Sequence, residues 1–233
     1  MPAFTLAGAT HVDNSVDIGK KCALTLSELL ITIAIIGVVA VMVLPNLFNK
    51  YKAITLRTKF NKTHAKLEQL IRYMDMDDFY MNDTTYQVPI IEPYLSKMGG
   101  VYMGCFWDQK KIFDYRNYKY KTFNKRNNID WTKFDDGLFL FNDGTILMFE
   151  NNGYNRIIWT FDINGYKNGP NLLGHDLFSW ELRSGRFKAM GESGTSYSSS
   201  SYCSDSSTNN LNGIGCTALA KSDPDYFKKL FSK

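Results

Sequence analysis

Residues 24–44 read LTLSELLITIAIIGVVAVMVL, and Glu28 is the one charge in the stretch. As a helix rising about 1.5 Å per residue it spans roughly 31 Å, the thickness of a bilayer's hydrocarbon layer. Apolar residues fall on every side of the helical wheel, whereas the surface helix of a small domain keeps a polar face toward water. The stretch therefore reads as a membrane span. Glu28 is its anomaly. A carboxylate at the centre of a span costs about 2.5–3.5 kcal/mol, less near the end, and it calls for a partner.

Upstream, residues 1–22 are polar, lack helical periodicity and end in Lys20-Lys21-Cys22, which is the composition of a leader. A conventional signal peptide is cut after its apolar stretch, but here the small-residue site, Ala23, precedes it. The phrase Ala3-Phe4-Thr5-Leu6 echoes Ala23-Leu24-Thr25-Leu26. It lacks both the glutamate and a following apolar run, so it has nothing to insert.

Downstream of Pro45, which closes the apolar stretch, Leu47, Phe48, Tyr51, Ile54, Phe60, Leu67, Leu70, Ile71 and Met74 recur mostly at steps of three or four, with lysines between them. This predicts an amphipathic continuation of the helix, ended by Asp75-Met76-Asp77-Asp78. Beyond it Pro89 and Pro93 bracket a short apolar run and Gly99-Gly100 breaks the chain. Residues 138–141 and 145–149 flank Asn142-Asp143-Gly144 as a hairpin, Asn151-Asn152-Gly153 makes a further turn, and residues 156–161 and 177–182 add two strands. Residues 193–207 contain nine Ser in fifteen and read as a mobile loop. Residues 226–231 read as a short last element. The boundaries are a leader over 1–23, a membrane half-helix over 24–45, a soluble half-helix over 46–80, and a β-rich domain over 81–233 that contains the 193–207 loop.

The net charge of +4 is too mild to demand a nucleic-acid partner. The stretch 109–126, QKKIFDYRNYKYKTFNKR, mixes basic and aromatic residues. It reads either as a groove for single-stranded nucleic acid or as a solvated strand or loop whose rings pack on one side. Catalytic motifs are absent: no Gly-x-Ser-x-Gly, His-Glu-x-x-His or Cys-x-x-Cys occurs. Gly169 to Gly174 has P-loop spacing, but His175-Asp176 replaces the required Lys-Ser/Thr, which excludes nucleotide binding. Asp162 and Asn164 precede Gly165 as in the first half of a calcium loop, and Asp176 could close the site. The alternative is a turn in which Asn, Asp and Gly cap backbone groups. No cofactor is required. Four cysteines occur, and Cys203 and Cys216 lie close enough for a bridge worth about 3 kcal/mol, with Cys105 as the competing partner.

Ala23-Leu24-Thr25-Leu26-Ser27-Glu28, followed by the apolar run and preceded by two lysines, resembles the cleavage and methylation signal of type IV pilins and type II secretion pseudopilins. The likeness is close over residues 20–50 and holds only in outline elsewhere. It implies an α+β pilin-like fold, with a long N-terminal helix packed on a small antiparallel sheet. It implies cutting between Ala23 and Leu24 by a prepilin peptidase, N-methylation of Leu24, and pairing of Glu28 with the Leu24 amine of a neighbouring subunit. Gly37 and Pro45 would be where the helix loosens. A C-terminal Cys203–Cys216 bridge and a calcium site between strands also have precedent in the family. Ala before the cut and Leu after it depart from the usual residues.

The implied function is structural. The chain would be a non-enzymatic subunit of a type IV pilus or a secretion pseudopilus. Its partners would be other pilin or pseudopilin subunits, an inner-membrane assembly platform with its ATPase, and membrane lipid. Its location would be a single pass in a bacterial inner membrane, N-terminus cytoplasmic and C-terminal domain periplasmic, with filaments in the periplasm or at the surface. Alternatives are a minor tip pilin binding DNA or a surface ligand, and a plain membrane-anchored periplasmic protein. One observation opposes this orientation. Lys50, Lys52, Arg57 and Lys59 after the span outnumber Lys20 and Lys21 before it, so the positive-inside rule alone would put the C-terminal side in the cytoplasm.

Overall fold

The computed structural model describes residues 25–79, 88–104, 119–151 and 156–232. Ala23 and Leu24, Cys105, the 109–118 part of the basic stretch and the Asn152-Gly153 turn lie outside the described residues. The chain divides into two compact units, residues 1–45 and 46–233.

Helix α1 runs over Leu26–Met76. Pro45 does not close it but lies inside it. A proline within a helix removes one backbone donor and crowds the carbonyl four residues earlier, which bends more often than ends a helix with good formers on both sides. In the first unit the helix is long and apolar enough to cross a membrane, and none of its apolar window is buried by the rest of the chain. In the second unit α1 buries Ala53, Leu56, Phe60, Thr63, Leu67, Leu70 and Met74, alternating steps of three and four along one face. This corrects the expected apolar face. Leu47, Phe48, Tyr51 and Ile54 are all more than half exposed and form a second stripe that the sheet does not cover. The helix ends at the aspartate run as expected, with Asp78 at φ 50°.

After α2 (Val88–Lys97) come six strands: β1 Gly100–Gly104, β2 Gly137–Phe141, β3 Ile146–Asn151, β4 Ile157–Asp162, β5 Leu177–Arg183 and β6 Arg186–Ala189. They form one antiparallel meander in chain order. The helix-plus-sheet architecture is α+β, as expected. Several elements were not foreseen, among them α2, β1 and β6 and two short helices between residues 199 and 222. Helix α2 starts next to Pro89, where proline is tolerated, and carries Pro93 inside it. Strand β1 is a short edge strand. Strand β6 follows Ser184 and Gly185, both at positive φ, a two-residue hairpin signal that Ser-Gly could have raised.

The sheet is covered on both faces. Phe139, Phe149, Trp159, Phe178, Trp180 and Phe187 point to the α1 side, where Phe60 sits 4.8 Å from the Phe178 ring and 5.5 Å from Trp180. The alternate residues Leu138, Met148, Ile158 and Leu177 pack under Tyr120, Ile129, Phe134 and Ile214. A strand buried on both faces reads as continuous apolar sequence, and β4 is buried at all six positions. Helices α3 (Ser199–Tyr202), α4 (Thr217–Ser222) and α5 (Tyr226–Phe231) finish the chain.

The Ser-rich segment is a pinned loop rather than a free one. Buried Glu181 accepts from the Ser196 N–H at 2.7 Å and its hydroxyl at 2.8 Å. The Asn124 and Asn127 amides donate to carbonyls of Ser207 and Thr208, and Arg126 donates to Ser206. Cys203 and Cys216 are joined, as expected.

Candidate functional site

Thr25 and Glu28 form a closed pair at the head of α1. The Thr25 N–H and its hydroxyl both donate to Glu28 Oε2 at 2.8 Å, and the Glu28 N–H donates to Thr25 Oγ1 at 3.2 Å. This is the reciprocal capping box of the Thr-x-x-Glu pattern, which satisfies orphan donors at a helix start. The negative charge also lies at the positive end of the helix dipole. The sequence reading assigned Glu28 only a partner in another subunit. Thr25 three residues before it was the signal for the second role. Oε1 accepts no hydrogen bond among the described residues, so one oxygen of the carboxylate stays open to a cation.

Gly37 sits in the same helix, and a Cβ built on it would meet nothing within 4 Å. Its small size answers no contact within the chain. Around Glu28, Leu29, Leu30, Ile31 and Ile33 are about half exposed or more. A bare apolar surface of this extent marks a site for lipid or for other apolar helices.

The second polar site is the loop between β4 and β5. Asp162 Oδ1 accepts from the N–H groups of Asn164 at 3.2 Å and Gly165 at 2.7 Å, and its Oδ2 accepts from the Tyr120 hydroxyl at 2.6 Å. Asp176 accepts from the N–H groups of Asn171 and Leu172, both at 2.7 Å. Both carboxylates are fully buried. Burial raises Asp162 to about 6 and Asp176 to about 7, the latter helped by the charge of Asp162. Asn164 is buried and its Oδ1 finds no hydrogen-bond donor. The structure thus brings the three sequence candidates into one loop as hard oxygen donors of the kind calcium takes. Both carboxylates already serve backbone donors, so the capping role of the turn is present as well.

Tyr120, within the basic aromatic stretch, is core: its ring is buried and its hydroxyl is committed to Asp162. Phe123 is likewise packed against the α1-side core. These rings are not a free stacking platform.

A third cluster escaped the sequence reading. Asp135, Asp136 and Glu150 bring carboxylate oxygens within 4.8 Å of one another. The carboxyl of Glu150 is pushed up to about 7 by burial and by the charge of Asp136, against the pull of Lys133 at 3.5 Å. Asp136 accepts from the Asn151 N–H at 2.7 Å. The β2–β3 pairing makes this cluster, and separation in sequence hid it. Searches against family models, curated proteins and solved structures returned no match for this chain.

Proposed function

We propose that this chain is a pilin-like filament subunit, stored in a membrane by its apolar helix and assembled through that helix. The observation that carries the reading is Glu28: a carboxylate with one open oxygen at the head of an apolar stretch of helix, residues 26–44, that is otherwise uncharged and has no buried residue. A charge left unpaired in an apolar assembly costs several kcal/mol. The amine created by a cut between Ala23 and Leu24 would be the matching cation, supplied by a neighbouring copy. Methylation of Leu24 would leave that amine charged.

In this reading the chain is the substrate of a prepilin peptidase and the cargo of an assembly platform and ATPase. The β-rich unit faces an oxidising periplasm, where a Cys203–Cys216 bridge persists. Gly37 and Pro45 act as points of helix yielding during packing. Intact-mass measurement of the protein taken from its native membrane tests the reading. The expected species lacks residues 1–23 and carries one added methyl group. A full-length mass overturns it.

In the same reading Asp162, Asp176 and the Asn164 carbonyl would hold calcium, whose charge would offset two buried carboxylates and stiffen the loop. The expected result is a melting temperature raised by calcium in the native chain and unmoved in Asp162→Asn.

A further inference from the structure

In the second unit, α1 carries unpaired charge of opposite sign toward its two ends. Near the start, Arg57 donates to the Asp223 carbonyl at 3.0 Å, and Lys62 and Lys66 both reach Asp143 Oδ2 at 2.9 Å. Lys52 and Lys59 form no ion pair or side-chain hydrogen bond among the described residues, although Lys59 lies within Coulomb range of Asp162. These two lysines rim a groove of about 470 Å³ walled by Tyr51, Pro170 and Phe231. The Asn49 amide donates to the Phe231 carbonyl at 3.3 Å and holds the end of α5 against α1. At the other end the helix closes on Asp75-Met76-Asp77-Asp78. Lys97 takes Asp77 at 3.5 Å, but Asp75 and Asp78 form no ion pair or side-chain hydrogen bond among the described residues. Met76 between them is 79% exposed. The last turn of α1 holds no basic residue. Its carbonyls are the negative end of the helix dipole, so the uncompensated carboxylates there favour a cation from outside.

We infer that this groove receives the Asp75–Asp78 corner of a second copy of the chain, with Met76 between the apolar walls and Asp75 and Asp78 against the two ammoniums. Charge and apolarity match together: an apolar knob flanked by carboxylates meets apolar walls rimmed by ammoniums. An unbranched thioether side chain fills irregular apolar space of this kind. The match cannot be made within one chain. Roughly 24 Å of helix separate Lys59 from Asp75, and roughly 39 Å separate Lys52 from Asp78. Groove and corner are different patches, so the contact is heterologous and leaves each pair of copies one free groove and one free corner for further copies. Every residue in it belongs to the second unit, so it needs no particular placement of the apolar helix. It goes beyond the filament reading: it requires a second copy, but neither leader cleavage nor Glu28.

The test mixes isotope-labelled and unlabelled full chain in a neutral detergent and treats it with a carbodiimide, which joins a carboxylate to an amine only where the two touch. Linked peptides are mapped by mass spectrometry. The expected links join Lys52 or Lys59 of one isotope to Asp75 or Asp78 of the other. Lys52→Glu with Lys59→Glu should lower the yield of linked dimer at least tenfold by setting like charges together. Asp75→Lys with Asp78→Lys should do the same, and the four changes in one chain should restore it. Lys50→Glu, outside the groove, should change the yield less than twofold. Absence of the mixed-isotope links in the native chain overturns the inference. So does a yield unmoved by either reversed pair, or an equal loss in Lys50→Glu, which would mean diffuse attraction. A full-length mass for the native protein would end the filament reading and leave this contact to be decided by the links. Near-UV circular dichroism checks the fold of each variant, and the mapped native links carry the test if a reversed pair misfolds.

Discussion

At the head of α1 the Glu28 carboxylate closes the cap with Thr25, and in the proposed reading it also meets a neighbour's amine; a single substitution can separate the two. Glutamine can occupy the third position of a capping box, so Glu28→Gln keeps the bonds to Thr25 while removing the charge. The expected outcome is a helix that inserts and is processed normally, with self-association in the membrane lowered at least tenfold by cross-linking, because the partner's amine is left unpaired. Association equal to that of the native chain would leave Glu28 with the cap alone. Glu150 makes a second residue-scale case. Its folded carboxyl is raised to about 7, above its ordinary value, so the folded state holds the proton more tightly. Stability is therefore greater at low pH and falls as pH climbs from about 4.5 through about 7. The melting temperature of residues 46–233 should drop by several degrees between pH 5 and pH 8, and Glu150→Gln should flatten that drop. An unchanged slope in the variant would move the effect to other carboxylates. Asp143 works in the opposite sense. Hydrogen bonds from Lys66 and Lys62 outweigh its partial desolvation and hold it well below the usual carboxylate range, so its contribution is present above about pH 4 and is lost progressively as the pH falls below that.

At the scale of elements, the C-terminal loop shows how a polar, serine-rich segment acquires a fixed path. Glu181 on β5 holds Ser196, the 124–127 turn holds carbonyls of residues 205–208, and Cys203–Cys216 ties the ends. The crossing is tight. A Cβ on Gly174, at φ 77°, would come within 2.8 Å of the Cys216 sulfur. Replacing both cysteines by serine should cost about 3 kcal/mol in urea unfolding at 25 °C, the loop-entropy value for a span of this length. A loss below about 1 kcal/mol would mean that the hydrogen bonds alone confine the loop. Serine content read without these partners argued for mobility, because nothing local reveals a buried carboxylate twelve or more residues away. The same limit explains β6, whose four residues are too few to show alternation. It also explains α2, whose two prolines argued against a helix.

At the scale of the whole molecule, the two units differ in how their apolar residues are covered. Residues 46–233 enclose their own core, with both sheet faces covered. Produced without the apolar helix, this unit should be soluble and unfold in one cooperative transition seen equally by near-UV and far-UV dichroism. Two separated transitions would show that the layer under Tyr120 and Ile214 is an independent subunit of stability. The apolar helix is not buried by the described residues, and in the proposed reading it takes its stability from lipid or from like helices.

The sequence by itself determined the membrane-length helix, the place of Glu28 in it, the β2–β3 hairpin and strands β4 and β5. Each is a matter of local periodicity or a turn within a few residues, and neither needs a distant partner to be read. The loop residues Asp162, Asn164 and Asp176 were legible as a polar cluster for the same reason. Tertiary structure decided which apolar stripe of α1 is buried, since 47–54 and 53–74 carry the same periodicity and only the sheet distinguishes them. It also decided that Tyr120 is core, that Glu150 meets two aspartates, and which lysines of α1 are paired. Those outcomes depend on residues brought together from remote parts of the chain, and side-chain charge and burial are set by that neighbourhood rather than by sequence position.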